Sequence, residues 1–252
     1  MTLSTLQERD LKIPGSCWTL QSSVNGYAAP SGDGLATQAA CGRSFEVIEP
    51  PAAAEAEPGE GGSERLRVRL LEDGYPCWLA LSDLLEQVSP CGAWQPLLLS
   101  PAVIEQRLPE VLGCLDHAAR QTNTYLWGGT LGPDFDCSGL VQWAFASCGI
   151  WLPRDAYQQE RFCRSLPIAA NKTTALREGD LVFFGTPDRC THVGLHREQG
   201  RYWHSSGHEH GRNGIGCDGL DPADTHPVAS HYRAELRGAG RVVRCHDGTT
   251  LP

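Results

Sequence analysis

Residues 135–145 read FDCSGLVQWAF, and they follow a loop of glycines and a proline, WGGTLGPD, at residues 127–134. Leu140, Val141, Ala144, Phe145 and Cys148 recur at helical spacing, and Gly149 supplies a stop, so a helix starts at Cys137 and buries that face. A thiol at a helix start lies in the positive field of unpaired backbone N–H groups, which favours thiolate, and its own N–H can meet a developing oxyanion. That position separates Cys137 from the ten other cysteines, most of which read as small buried hydrophobes.

The 252 residues carry a net charge of −9, with 40% hydrophobic and 20% charged residues. This composition suits a soluble globular chain of two modest domains and argues against nucleic acid or an anionic membrane as the main partner. No apolar run reaches the roughly 18 residues of a membrane span, and the first residues, MTLSTLQERDLKIPG, show no secretory leader. A cytoplasmic location follows as an expectation. With eleven cysteines at irregular spacing and no CxxC pair, reduced thiols are expected rather than a disulfide framework, a zinc ribbon or a thioredoxin-type pair.

Before residue 96 the chain reads as β-rich. CWTLQSSV, SFEVIE and RLRVRLLE are short strands between turn clusters, and Arg65 to Leu70 alternates as a strand with one wet face should. The stretch EPPAAAEAEPGEGGSE, residues 49–64, is read as a mobile loop. After a linker, Ser100-Pro101 marks a helix start, Pro109 predicts a kink or restart, and strands follow residue 179 in DLVFFG, THVGLH, RYWHSS and AGRVVRC. Helices first and strands afterwards predict an α+β domain.

A nucleophilic thiol needs a base brought close by folding. Among nine histidines, His192 in THVGLH and His204 in RYWHSSG lie on two short strands joined by the turn REQG. A hairpin would set one as base and the other to orient it. A rival reading gathers His192, His196, His204, His208 and His210 into a metal site for a zinc hydrolase, although the HExxH pattern is absent and GHEHGRNGIG reads as an exposed glycine-rich loop. No metal or cofactor is assigned.

In order, YLWGGTLGPDFDCSGLVQWAF, LPRDAYQQ, REGDLVFFG, THVGLH and RYWHSSG resemble the NlpC-type cysteine peptidases of bacterial cell-wall metabolism, over about residues 111–244. The β-rich first segment, with DGYPCWLALSDL, is similar to the bacterial SH3-like barrel that precedes the peptidase in cyanobacterial-type γ-D-glutamyl-L-diamino acid endopeptidases. The resemblance implies a barrel over residues 1–95, a linker over 96–108 and a papain-like α+β peptidase over 109–247. It implies Cys137 as nucleophile, His192 as general base, His204 as the residue that orients it, and Tyr125 as a help to the oxyanion. It further implies substrate contacts at Asp136, Ser138, Trp127, Arg154 and Ser205. Arg154-Asp155 reads equally as an ordinary helix-start ion pair. Tyr75 and Asp83 are candidates for the end of the pocket that takes a free alanine ammonium, or are packing and turn residues of the barrel. His196 is expected to be exposed and not catalytic. The expected substrate is L-Ala-γ-D-Glu-diaminopimelate, cut before the diamino acid by a monomer during murein recycling. A papain-like amidase or acyltransferase on another substrate, and a wall-binding role for the barrel, stay open.

Overall fold

The computed structural model describes residues 8–51, 64–169 and 172–251. Most of the segment expected to be a mobile loop, residues 52–63, lies outside them. The chain forms two compact units. One holds the described residues up to Pro96 together with Asp247–Leu251, and the other is Leu97–His246.

In the first unit, β1 (Cys17–Leu20), β2 (Val24–Tyr27), β3 (Leu35–Ala39), β4 (Ser44–Glu49), β5 (Arg65–Leu70), β6 (Pro76–Ala80) and β7 (Val88–Pro90) form one sheet in the order β3-β2-β6-β5-β4-β1-β7. The short helix α1 (Leu81–Leu84) follows β6. The alternation read in β5 is its physical basis. Leu66, Val68 and Leu70 are fully buried in the core, while Arg65 lies 3.5 Å over the Tyr27 ring and Arg67 and Arg69 pair with Glu49 and Glu46. The returning tail caps the β5–β6 turn: Arg69 Nη1 donates to the Gly248 carbonyl at 3.0 Å, and Gly74, at φ +67°, leaves no room for a Cβ beside the Thr249 carbonyl.

The second unit sets α2 (Pro101–Ala119), α3 (Cys137–Ser147), α4 (Ala156–Phe162) and α5 (Pro227–Ala234) around a sheet of β8 (Arg164–Leu166), β9 (Leu181–Gly185), β10 (Cys190–His196), β11 (Arg201–Ser206), β12 (Gly214–Gly219) and β13 (Leu236–Arg241). Its order is β12-β11-β10-β9-β13-β8, antiparallel throughout. Helix α2 begins at Pro101, capped by the Ser100 hydroxyl, and continues unbroken across Pro109. Residues 101–108, read as linker, are therefore its first two turns. Pro109 is tolerated because it and Glu105, whose carbonyl loses a partner, both face solvent.

Helix α3 is the central helix. Leu140, Val141, Ala144 and Phe145 are all fully buried. Cys148, placed by spacing on that face, is instead the half-buried C-cap residue, followed by Gly149 at φ +71°. The stretch read as a glycine-rich exposed loop, residues 207–216, is largely exposed from His208 to Asn213, but its last three residues open β12, which pairs along all six of its residues with β11.

Candidate active site

The α3 start is built around a buried carboxylate. Asp136 is the N-cap residue, and its Oδ1 accepts from the Gly139 N–H at 2.7 Å while Oδ2 accepts from the Gly128 N–H at 2.9 Å. The Arg154 guanidinium, only 2% exposed, donates to both oxygens, at 3.1 and 2.5 Å, and to the Ser138 hydroxyl at 3.0 Å. Such a fork is what guanidinium geometry provides and an ammonium does not. The glycines serve this junction. The Gly129 carbonyl takes the Asp136 N–H at 3.2 Å, and a Cβ on Gly139 would come within 2.0 Å of the same carbonyl. The lead-in glycines thus let backbone pack on backbone.

Asp136, Ser138 and Arg154, expected to touch substrate, are buried and engaged with one another. Arg154 forms its ion pair with Asp136, and Asp155 caps α4. Ser205, also expected as a substrate contact, is fully buried and donates to the Phe135 carbonyl at 2.7 Å, tying β11 to the segment that enters α3. Trp127 is 72% exposed. In the first unit Tyr75 packs against the barrel core, and Asp83 is exposed on α1.

The two histidines lie on paired strands. The β10–β11 register sets Leu195 opposite Trp203, so Gly194 faces His204 and His192 lies diagonally across on the same side. His192 Nε2 and His204 Nδ1 are 2.8 Å apart. The His192 ring stacks on Tyr232 at 3.9 Å between centroids and 16° between planes, which restrains its rotation. His204 is fully buried, and its Nε2 lies 2.7 Å from Asp218 Oδ2. His196, expected on the surface, is buried at the far end of β10. It bonds the Arg177 carbonyl through Nδ1 and takes the Gly200 N–H on Nε2, bracing the hairpin turn.

Cys137 faces strand β10 from the helix start. The backbone N–H groups of Val193, next to His192, and of Ser138 hydrogen-bond the sulfur. Burial, with the Asp136 charge, still pushes the thiol up to about 12. Burial also holds His192 well below the ordinary imidazole value, helped by the neighbouring His204, His210 and His231. The resting pair is a thiol and a neutral imidazole, not the preformed thiolate that the helix start alone suggested. Here burial outweighs the helix field. Tyr125, half-buried and pushed up by burial and by the Cys137 charge, lines with Trp127, His192, Glu209, His210 and Tyr232 a cavity of about 270 Å³. Among the described residues no three His, Cys, Asp or Glu side chains are grouped to hold a metal ion. His210 of the proposed metal cluster stacks on His231 instead.

Tyr232, Asp218 and Arg212 were not read from the sequence. Tyr232 sits on α5, which no periodicity announced, and Asp218 lies in GIGCDG, whose glycines disguise a strand.

Comparison with known proteins decides the family. The description NlpC/P60 family matches residues 122–233, and Bacterial dipeptidyl-peptidase Sh3 domain matches residues 26–84. A probable endopeptidase of Corynebacterium glutamicum (strain R) is 30% identical over 182 residues, spanning 68% of this chain and 81% of that protein. The chain belongs to the NlpC/P60 family. Two further relatives come from Bacillus subtilis (strain 168). The bifunctional muramidase/DL-endopeptidase CwlT is 47% identical over 87 residues, 32% of this chain and 25% of that protein. The gamma-D-glutamyl-L-lysine dipeptidyl-peptidase is 37% identical over 84 residues, 32% of this chain and 27% of that protein. The match thus spans about a quarter of the length of these two relatives. The chain thus carries an NlpC/P60 domain with an SH3-type domain ahead of it.

Proposed function

We propose that this NlpC/P60 protein is a γ-D-glutamyl-L-diamino acid endopeptidase that cleaves L-Ala-γ-D-Glu-diaminopimelate before the diamino acid. The observation that carries the reading is the imidazole pair, His192 and His204 at 2.8 Å, set against a helix-start cysteine whose sulfur is bonded by the Val193 N–H. The finer choice of bond draws support from the dipeptidyl-peptidase description of the first domain and from the relative named for γ-D-glutamyl-L-lysine cleavage.

The reaction is acyl transfer. His192 takes the Cys137 proton as sulfur attacks the γ-glutamyl carbonyl, and the developing oxyanion lies near the Cys137 N–H and the Tyr125 hydroxyl. The C–N bond breaks as His192 passes the proton to the departing amine, leaving a thioester on Cys137. Water, deprotonated by His192, hydrolyses that thioester and frees the thiol. His204 orients His192 throughout.

Tyr75 and Asp83 are proposed to meet the alanine ammonium, which needs a carboxylate partner, making small muropeptides with an unblocked alanine the substrates. The eleven thiols, none in a disulfide, suit the reducing cytoplasm and a recycling role. Mass spectrometry of products from a mixed pool of free and N-substituted muropeptides tests the proposal. Release of L-Ala-D-Glu from unblocked peptides only, lost in Cys137→Ala, is expected. Cleavage at a different bond would assign the same chemistry to another amidase or transferase activity, and full turnover by Cys137→Ala would end the thiol mechanism.

A further inference from the structure

The hydrogen-bonded chain does not stop at His204. Its Nε2 meets Asp218 Oδ2 at 2.7 Å, and the other carboxylate oxygen, Oδ1, accepts from Arg212 Nη2. Both imidazoles and the Asp218 side chain are within 5% of full burial, so water does not choose their protons. Arg212 offers donors alone, and an ionised carboxylate offers acceptors alone. The proton pattern then follows step by step. His204 Nε2 must carry hydrogen to satisfy Asp218, so its Nδ1 is bare. His192 Nε2 must carry hydrogen to satisfy that bare nitrogen, so His192 Nδ1 is bare. That is the nitrogen a thiol proton requires.

We propose that Asp218, oriented by Arg212, is a positioning residue that fixes the tautomers of both histidines and so makes His192 a base toward Cys137. The proposal rests on the reading of Cys137 and His192 as the reacting pair. Three further features fit it. Gly216 pairs with His204 across β11 and β12, and a Cβ there would lie 2.3 Å from Arg212 Nε, so the strand is bare where the guanidinium crosses to Asp218. His226 Nδ1, 3.7 Å from Asp218 Oδ1, already accepts the Val228 N–H at 3.3 Å, so it presents a lone pair and leaves Arg212 as the donor to that oxygen. The ionised state is also the favoured one: although burial opposes the charge, the His204 hydrogen bond and Arg212 hold the Asp218 carboxyl below its ordinary range. Beyond Asp218 a second cavity of about 570 Å³, lined by Arg201, Arg212, Asp221, Asp224 and His226, opens to the outer side. Arg212 can therefore be changed without repacking the core.

Asp218→Asn gives a test that a merely structural role would not pass. The amide oxygen must turn to Arg212, which has only N–H groups, so the amide N–H faces His204 Nε2. Both histidines then flip to the Nδ1–H tautomer, and His192 loses its bare nitrogen. Adding Arg212→Met lets the amide oxygen return to His204 and restores the original pattern. The readouts on the full chain are imidazole ¹⁵N tautomer shifts, cleavage of L-Ala-γ-D-Glu-diaminopimelate, and peptide-resolved alkylation of Cys137 by iodoacetamide. The expected results are Nε2–H on both histidines in the wild type, Nδ1–H in Asp218→Asn with kcat lower by roughly 10²–10⁴-fold, and at least partial recovery of both in the double variant. A wild-type protein with Nδ1–H on His204, or a double variant no better than Asp218→Asn, would overturn the proposal. The wild-type spectrum needs no variant and judges it even if Asp218→Asn fails to fold. If the wild type leaves the peptide intact, the substrate assignment falls alone, because tautomers and Cys137 alkylation still report on the relay.

Discussion

Arg154→Met probes the junction on which the nucleophile stands. The substitution removes the Arg154 hydrogen bonds to Asp136 and Ser138, and leaves the Asp136 carboxylate buried beside α3 with the Gly128 and Gly139 N–H groups and the Ser138 hydroxyl. Breaking one side of a buried pair costs roughly 3–5 kcal/mol, mostly the penalty of the stranded charge. For a unit of this size each kcal/mol moves the melting temperature by about 2–4 °C, so the second unit should melt roughly 6–20 °C lower. Differential scanning calorimetry of the full chain measures this, with kcat followed in parallel because Cys137 is the next residue. The double variant Asp136→Asn, Arg154→Met removes the stranded charge and should be more stable than Arg154→Met alone, a non-additive cycle. A loss under about 2 °C, or simple additivity, would show that the pair does not hold the helix start.

A neutral resting pair predicts a wide pH plateau. Protonation of His192 closes the acid side below its ordinary 6.5, and ionisation of Cys137 closes the alkaline side above 9.0, toward about 12. The quotient kcat/KM should therefore stay flat from pH 7 to 9, and an alkaline limb within that range would mean a preformed thiolate–imidazolium pair. The same shifts act on stability. His192 and His204 bind protons less readily folded than unfolded, so their contribution is complete above pH 6.5 and is lost as pH falls below it; a melting temperature that holds constant down to pH 5 would contradict this. Tyr232→Phe keeps the ring stacked on His192 and should hold kcat within about threefold, whereas Tyr232→Leu should lower kcat by an order of magnitude or more through misplacement of the base; equal kcat in the two variants would deny the stack a positioning role.

The sequence marked the candidate reacting side chains more clearly than the residues that support them. Cys137, His192 and His204 were legible because a helix start, a β alternation and a hairpin turn each leave a local pattern. Asp218 was not, because GIGCDG looks like loop when half its residues are glycine. Those glycines answer to neighbours distant in sequence: Gly214 to Asn123, Gly216 to Arg212 and Gly219 to Asp224. No local propensity encodes such crossings. Arg154 misled for a similar reason. Adjacency suggested Asp155 as its partner, while folding supplied Asp136 from eighteen positions earlier. The unbroken run of α2 through Pro109 likewise depended on which way residue 105 faced, a property of packing rather than of composition.

The return of Asp247–Leu251 to the first unit makes the peptidase an insertion within the barrel's chain. Cutting after residue 246 would leave every relay residue in place yet uncover the β5–β6 turn, where Gly74 has no side chain of its own to offer. Domain dissection is thus asymmetric: the peptidase can be excised as one stretch, whereas a complete barrel requires joining two. Substitutions near the last described residues should register in the melting of the first unit, although the sequence places them next to the second.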